Sequence, residues 1–179
     1  ATYAAGSSIA AAERTLAGES CVALVRPPGH HAAAAWAMGF CLINNVAIAA
    51  AKALKQVNRV AIIDWDVHHG NGTQDIFYNN GRVLYCSTHQ DDAFPHTGHV
   101  EETGVGPGTG FTINAPLPRK STIADFSFVF KEVILPAVAR MDPDLIIISA
   151  GQDVLSDDPV GDMQLLPGDI GYLTGLVLD

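Results

Sequence analysis

The stretch Val60–Gln74, Val-Ala-Ile-Ile-Asp-Trp-Asp-Val-His-His-Gly-Asn-Gly-Thr-Gln, limits what this chain can fold into more than any other. Val60 to Ile63 has the length and β-branched character of a buried strand. The run then breaks into Asp64, Asp66, His68 and His69. Carboxylates and imidazoles are costly to bury beside such a strand unless something pairs with them. A metal ion is the simplest partner for several at once. Side chains alternate across an extended chain, so Asp64, Asp66 and His68 can share one side, and Asp66 and His68 can reach the same ion. Gly70 and Gly72 let the chain turn sharply away.

The rest of the chain supplies helices to cover such a strand. Tyr3 to Ala17 and Val46 to Lys55 are Ala-rich and read as helices, the second capped by Asn44 or Asn45. Thr73 to Tyr78 reads as one or two helical turns. Ile123 to Met141 has helical apolar spacing, with a kink expected at Pro136. Pro167 to Leu178 reads as a last helix with proline in its first turn. Cys21–Val25, Val83–Ser87, Phe111–Asn114 and Leu145–Ala150 read as further strands. Thr88 to Gly110 is a long glycine-rich loop. Its Gly-x-Gly run is not a phosphate cradle, because such cradles open a helix and this one precedes a strand. Strands alternate with helices and lack polar alternation, which predicts an α/β fold with a mostly parallel sheet. There is no repeat or linker, so residues 1–179 are expected to form one domain.

Charged residues make up 16% of the chain, low enough to suit a sheet buried on both faces. The net charge of −9 is uneven: only two of the nineteen acidic residues precede residue 61. An acidic chain argues against direct nucleic-acid binding and tolerates a cationic substrate. No apolar run among these residues is long enough to span a bilayer, and none reads as a signal peptide. Three cysteines without a CxxC pair read as reduced thiols of an intracellular protein.

In parallel sheets, ligands bind outside the carboxyl ends of the strands. His30 and His31, Asp64 to His69, Ser87 to His89 and Asp153 all follow expected strands. Asp66 and His68 by spacing, with Asp153 by fold logic, make a three-ligand set for a catalytic divalent metal. The His30–His31 pair, on a loop stiffened by Pro27 and Pro28, suits acid/base work near neutral pH. His69 should point away from the ion. His96 and His99 are rim residues or merely exposed. Phe40 and Phe94 are candidates to line a substrate channel, with ordinary packing as the alternative.

Six motifs in order resemble the histone deacetylase family: Arg26-Pro-Pro-Gly-His-His31, Gly39-Phe-Cys41, Asp64–Gln74, Phe94-Pro-His-Thr-Gly98, Asn114-Ala-Pro-Leu-Pro118 and Ser149-Ala-Gly-Gln-Asp153. That family includes bacterial deacetylase-like amidohydrolases, acetylpolyamine amidohydrolases and acetoin-utilisation proteins. The resemblance implies a three-layer arginase/deacetylase fold and Zn²⁺-dependent (or Fe²⁺-dependent) removal of acetyl groups from lysine side chains or polyamine-type amines. It implies Asp66, His68 and Asp153 as metal ligands. It makes His31 the general base toward a metal-activated water, then the acid toward the leaving amine. His30 would be paired with Asp64, and His31 with Asn71, an Asn that resembles the class II branch. Phe40 and Phe94 would flank the acyl chain, with Gly39 accepting from the substrate amide. A structural K⁺ near Asp64, Asp66, His68, Ser87 and Thr88 also fits, as does a cytoplasmic, bacterial-type location.

Gln152 stands where many members have Phe or Ala. The family's Gly-Gly-Tyr motif, whose hydroxyl stabilises the oxyanion, is not among these residues, and Tyr172 falls within an expected helix. Loss of one such donor costs about a hundred- to a thousandfold in turnover. The chain is therefore expected to be a central portion of the family fold, incomplete at both ends. Two other readings stay open: a module that binds metal and acyl-amines without hydrolysing them, and a fragment whose sheet a partner chain completes.

Overall fold

The computed structural model describes residues 1–178. Four strands, β1 (Val60–Asp64), β2 (Val83–Gln90), β3 (Thr112–Leu117) and β4 (Leu145–Ser149), form one sheet in the order β3-β2-β1-β4. Every neighbouring pair is parallel, with Val60 level with Val83 and Leu145. All five residues of β1 and all eight of β2 are buried.

Alternation along β1 and β2 divides the core into two layers. Val60, Ile62, Val83 and Tyr85 face the alanines of α2 (Asn45–Ala53), on which α1 (Thr2–Leu16) packs. Small side chains on α2 let that helix lie close to the sheet. Ala61, Ile63, Leu84 and Cys86 face the other way, toward Phe126, Phe130 and Ile134. Those three lie on one long helical element: α4 (Ile123–Val129), a wider π-helical segment (Phe130–Ile134) and α5 (Leu135–Met141). A short α3 (Asn71–Phe77) follows β1, and α6 (Pro167–Leu178) closes the described chain. The result is helix, sheet, helix.

Three expectations change. Cys21–Val25 forms no strand; Val22 and Leu24 are 86% and 94% exposed, with no sheet neighbour to cover them. β2 runs three residues past Ser87, because Thr88, His89 and Gln90 continue the ladder beside Ala115, Pro116 and Leu117. A polar strand end reads as loop until its burial is seen. The kink expected at Pro136 becomes the π segment, in which the Leu135 amide donates to the Phe130 carbonyl five residues back. Asn44, not Asn45, caps α2, accepting from the Ala47 amide.

Candidate metal centre

The segment that leaves β1 folds around its own carboxylates. Asp64 Oδ1 accepts from the Asp66 amide, Asp66 Oδ1 from the His68 amide, and Asp153 Oδ1 from the Val67 amide. Each bond consumes a donor that the end of the strand would leave unpaired. Asp153 arrives from the loop after β4, the neighbour of β1 in the sheet. Gly151 permits this approach, since a Cβ there would lie 2.2 Å from Asp66 Oδ2.

These turns bring Asp66, His68 and Asp153 together, with one ligand atom from each within 4.8 Å of the others. His68 Nδ1 lies 3.0 Å from Asp66 Oδ1 and 3.0 Å from Asp153 Oδ2. Bonds from Asp153 and then Asp66 outweigh burial and raise the His68 imidazole to about 10. Two carboxylates that demand a positive charge at Nδ1 make the setting a divalent cation satisfies. Ligand atoms about 2.0–2.2 Å from a shared ion stand close to these separations from one another. The residues present fit a metal.

The two loop histidines stand beside this triad, their rings 4.1 Å apart. They are carried by an irregular segment held from below, not by a strand. His30 Nδ1 donates to Asp64 Oδ2 at 3.0 Å, and the Tyr85 hydroxyl donates to the same oxygen at 3.4 Å. Burial alone would lower the His30 pKa, but Asp64 and Asp66 overcome it and raise it to about 9. His31 goes the other way. Burial, then the neighbouring His30 charge, lower it to about 4 against the opposing bond to Asn71. His31 Nδ1 lies 2.8 Å from Asn71 Oδ1, while Asn71 Nδ2 donates to Met38 Sδ. An amide oxygen accepts only, so Nδ1 carries the proton and Nε2 is bare.

Phe94 stands edge-on to His31, ring centres 5.1 Å apart, and near His68 at 6.3 Å. Gly39 lies directly against His31: its φ is +53°, and a Cβ would stand 2.3 Å from Cδ2 of the imidazole. Phe40, by contrast, is 92% exposed and stands in solvent beside Gly39. His69 points away from the triad, toward Thr97 Oγ1 and Gln74 Oε1. His96 and His99 are exposed on the loop after β2, outside the triad. Ser87 and Thr88 lie buried in the middle of β2, with Ser87 level with Asp64 at the end of β1. Gln74 and Asn114, each at the edge of a quoted motif, and Tyr85 and Glu102, which lie in none, are hydrogen-bonded into the floor and flank of the site. No described helix is long and apolar enough to cross a membrane.

Comparison with protein-family models matches the histone deacetylase domain over residues 1–179. The chain is 48% identical over 168 residues to a probable deacetylase of Archaeoglobus fulgidus, covering 92% of this chain and 47% of the relative. It is 44% identical over 181 residues to a histone deacetylase-like amidohydrolase of Pseudomonas aeruginosa, covering 98% and 47%. The structure superposes on an acetylpolyamine aminohydrolase from Burkholderia pseudomallei with a TM-score of 0.92 at 40% identity, covering 97% of this chain and 52% of the other. The chain thus spans about half the length of these relatives. The parallel sheet between two helical layers is that of the arginase-like deacetylase fold. The sequence match and the superposition agree, and the chain belongs to the histone deacetylase family.

Proposed function

We propose that residues 1–179 form the site-bearing portion of a metal-dependent amidohydrolase that removes acetyl groups from lysine side chains or related amines such as acetylated polyamines. The observation that carries this reading is the Asp66, His68, Asp153 triad with the bare Nε2 of His31 beside it. Asp66 and Asp153 oxygens and His68 Nδ1 would hold the ion. When bound, it supplies Lewis acidity, polarising an amide carbonyl and making a nearby water easier to deprotonate. The donor set of one imidazole and two carboxylates suits Zn²⁺, and Fe²⁺ also accepts it.

The chain's own residues do the proton work. His31 is neutral near pH 7, so Nε2 can take a proton from water. Because its basicity is low, it returns that proton readily to the leaving amine. Asn71 fixes the tautomer throughout. His30 stays protonated on Asp64 and places a fixed positive charge beside His31. Phe94 and Phe40 would flank the acyl chain, and the Gly39 carbonyl would accept from the substrate amide. A structural K⁺ beside the end of β1 would draw on Asp64, Asp66, His68, Ser87 and Thr88.

A second reading, binding of acyl-amines without turnover, is favoured by the tyrosines. Tyr172 pairs with Ser127 on α4, and the Tyr85 hydroxyl sits behind Asp64. One assay separates the two. Zn²⁺-loaded chain is incubated with a fluorogenic acetyl-lysine peptide, beside His31→Ala. Turnover that vanishes in the variant supports hydrolysis. Tight binding of the peptide with no turnover in either supports the second reading.

A further inference from the structure

We propose that Glu102 is a positioning residue: its carboxylate fastens the loop carrying Phe94 to α3, and so fixes the wall that Phe94 presents to His31 and His68. This rests on the reading of the site as one that takes an acyl-amine beside a metal.

Phe94 is bracketed by two non-glycine residues with left-handed backbone, Asp92 (φ 53°) and His96 (φ 61°). Such conformations persist only where surrounding contacts impose them. Locally, the His96 amide donates to the Ala93 carbonyl at 2.8 Å and His96 Nδ1 lies 3.7 Å from Asp92 Oδ1, but both residues are exposed and these contacts stay within the turn. The fastening lies further along. Glu102 Oε2 accepts from the Gly98 amide and Oε1 from the His99 amide, each at 3.2 Å. The same Oε2 accepts from Gln74 Nε2, on α3. Gln74 Oε1 in turn accepts from Asn114 Nδ2 on β3 at 2.7 Å and from His69 Nε2 at 3.1 Å. His69 then uses Nδ1 to accept from Thr97 Oγ1 at 2.8 Å, returning to the loop.

Gly98 shows how closely the loop lies on this base. Its φ is +88°, and a Cβ would stand 2.6 Å from His69 Cγ and 2.7 Å from His89 Nε2. Glu102 supplies the charge in this network. Burial opposes its ionisation, yet the Gln74 amide and the His99 and Gly98 N–H groups hold its carboxyl below the usual range. Hydrogen bonds to an ionised acceptor are roughly twice as strong as neutral ones. Three donors converge on the carboxylate, so a glutamine there would set its own NH₂ against them. Glu102 touches neither the triad nor His31; it acts through Phe94.

The test uses Zn²⁺-loaded chain and two metal-binding probes. Acetohydroxamate has no chain to lie against Phe94. A hydroxamate with a six-carbon chain and a phenyl cap does. In Glu102→Gln the longer probe should bind about tenfold more weakly, the scale of one lost apolar contact, with acetohydroxamate unchanged within about twofold. In a Phe94→Trp background without metal, Glu102→Gln should shift the tryptophan emission to the red. Unchanged affinity for both probes, or an equal loss for both, overturns the proposal, as does unchanged emission. If Glu102→Gln does not fold, Glu102→Asp decides by the same measurements. One methylene shorter, it cannot reach Gln74 and both amides, and the same selective loss is expected. Failure of the native chain to bind either probe counts against the metal-site reading, while the emission still decides on Glu102.

Discussion

His31 and Gly39 show how one contact sets the chemistry of the site. The imidazole is held on one side by Asn71 Oδ1 and on the other by the bare Cα of Gly39. Any side chain at position 39 meets the ring and also strains a backbone with φ of +53°. Gly39→Ala should therefore displace His31 while leaving the triad in place. Expected is a fall in kcat/KM of about a hundredfold, since misplacement by about 1 Å costs that much. Zn²⁺ affinity, measured by competition with a chromogenic chelator, should change little. A variant with native kcat/KM would show that His31 does not need this wall. At this scale the sequence named the histidine pair, both aspartates and Asn71. It said nothing of Tyr85, of Glu102 or of the bond that joins Glu102 to Gln74, because a hydrogen bond between distant segments leaves no local pattern.

At the scale of elements, the site hangs on the carboxyl ends of β1, β2 and β4, and those strands are held from one side by α4, the π segment and α5. Phe126, Phe130 and Ile134 are fully buried against Ala61, Ile63 and Leu84. Phe130→Ala should cost about 3–5 kcal/mol, the range for truncating a buried aromatic. Thr122→Ala removes the capping box made with Asp125 and should cost about 1 kcal/mol. Urea denaturation followed by circular dichroism measures both; equal effects would mean the helix is held by its cap rather than its packing. β1 and β4 were legible as short runs of Ile, Leu and Val. Cys21–Val25 has the same look and forms no strand, because a strand also needs a neighbour to pair with. The far end of β2 was hidden for the opposite reason: polar residues there are buried, and only the tertiary ladder shows it.

The whole molecule balances histidines of opposite tendency. His30 is raised to about 9, whereas His31 and His69 are lowered to about 4 and about 3, and burial also lowers His89. The ordinary value is 6.5. Below it, the unfolded chain takes up protons that His31, His69 and His89 refuse when folded, so stability falls as pH drops toward about 4. Above it, the unfolded chain loses protons that folded His30 and His68 keep, and those contributions are lost as pH rises through about 9 and about 10. Thermal melts of chain kept in chelator should therefore show maximal Tm near pH 6.5 and a decline on both sides. A Tm that rises steadily from acid to alkaline pH would contradict this balance.

The central claim is that Asp66, His68 and Asp153 hold one divalent ion in a fold of the histone deacetylase family. Calorimetric titration of Zn²⁺ into metal-free chain tests it most directly. One ion per chain is expected, with affinity weakened at least about a hundredfold in Asp66→Ala and in Asp153→Ala, since losing a ligand exceeds the tenfold to hundredfold cost of losing a ligand's supporting partner. His69→Gln, which leaves the triad untouched, should bind as the native chain does. Zn²⁺ binding that survives both aspartate substitutions, or no binding by the native chain, would contradict it.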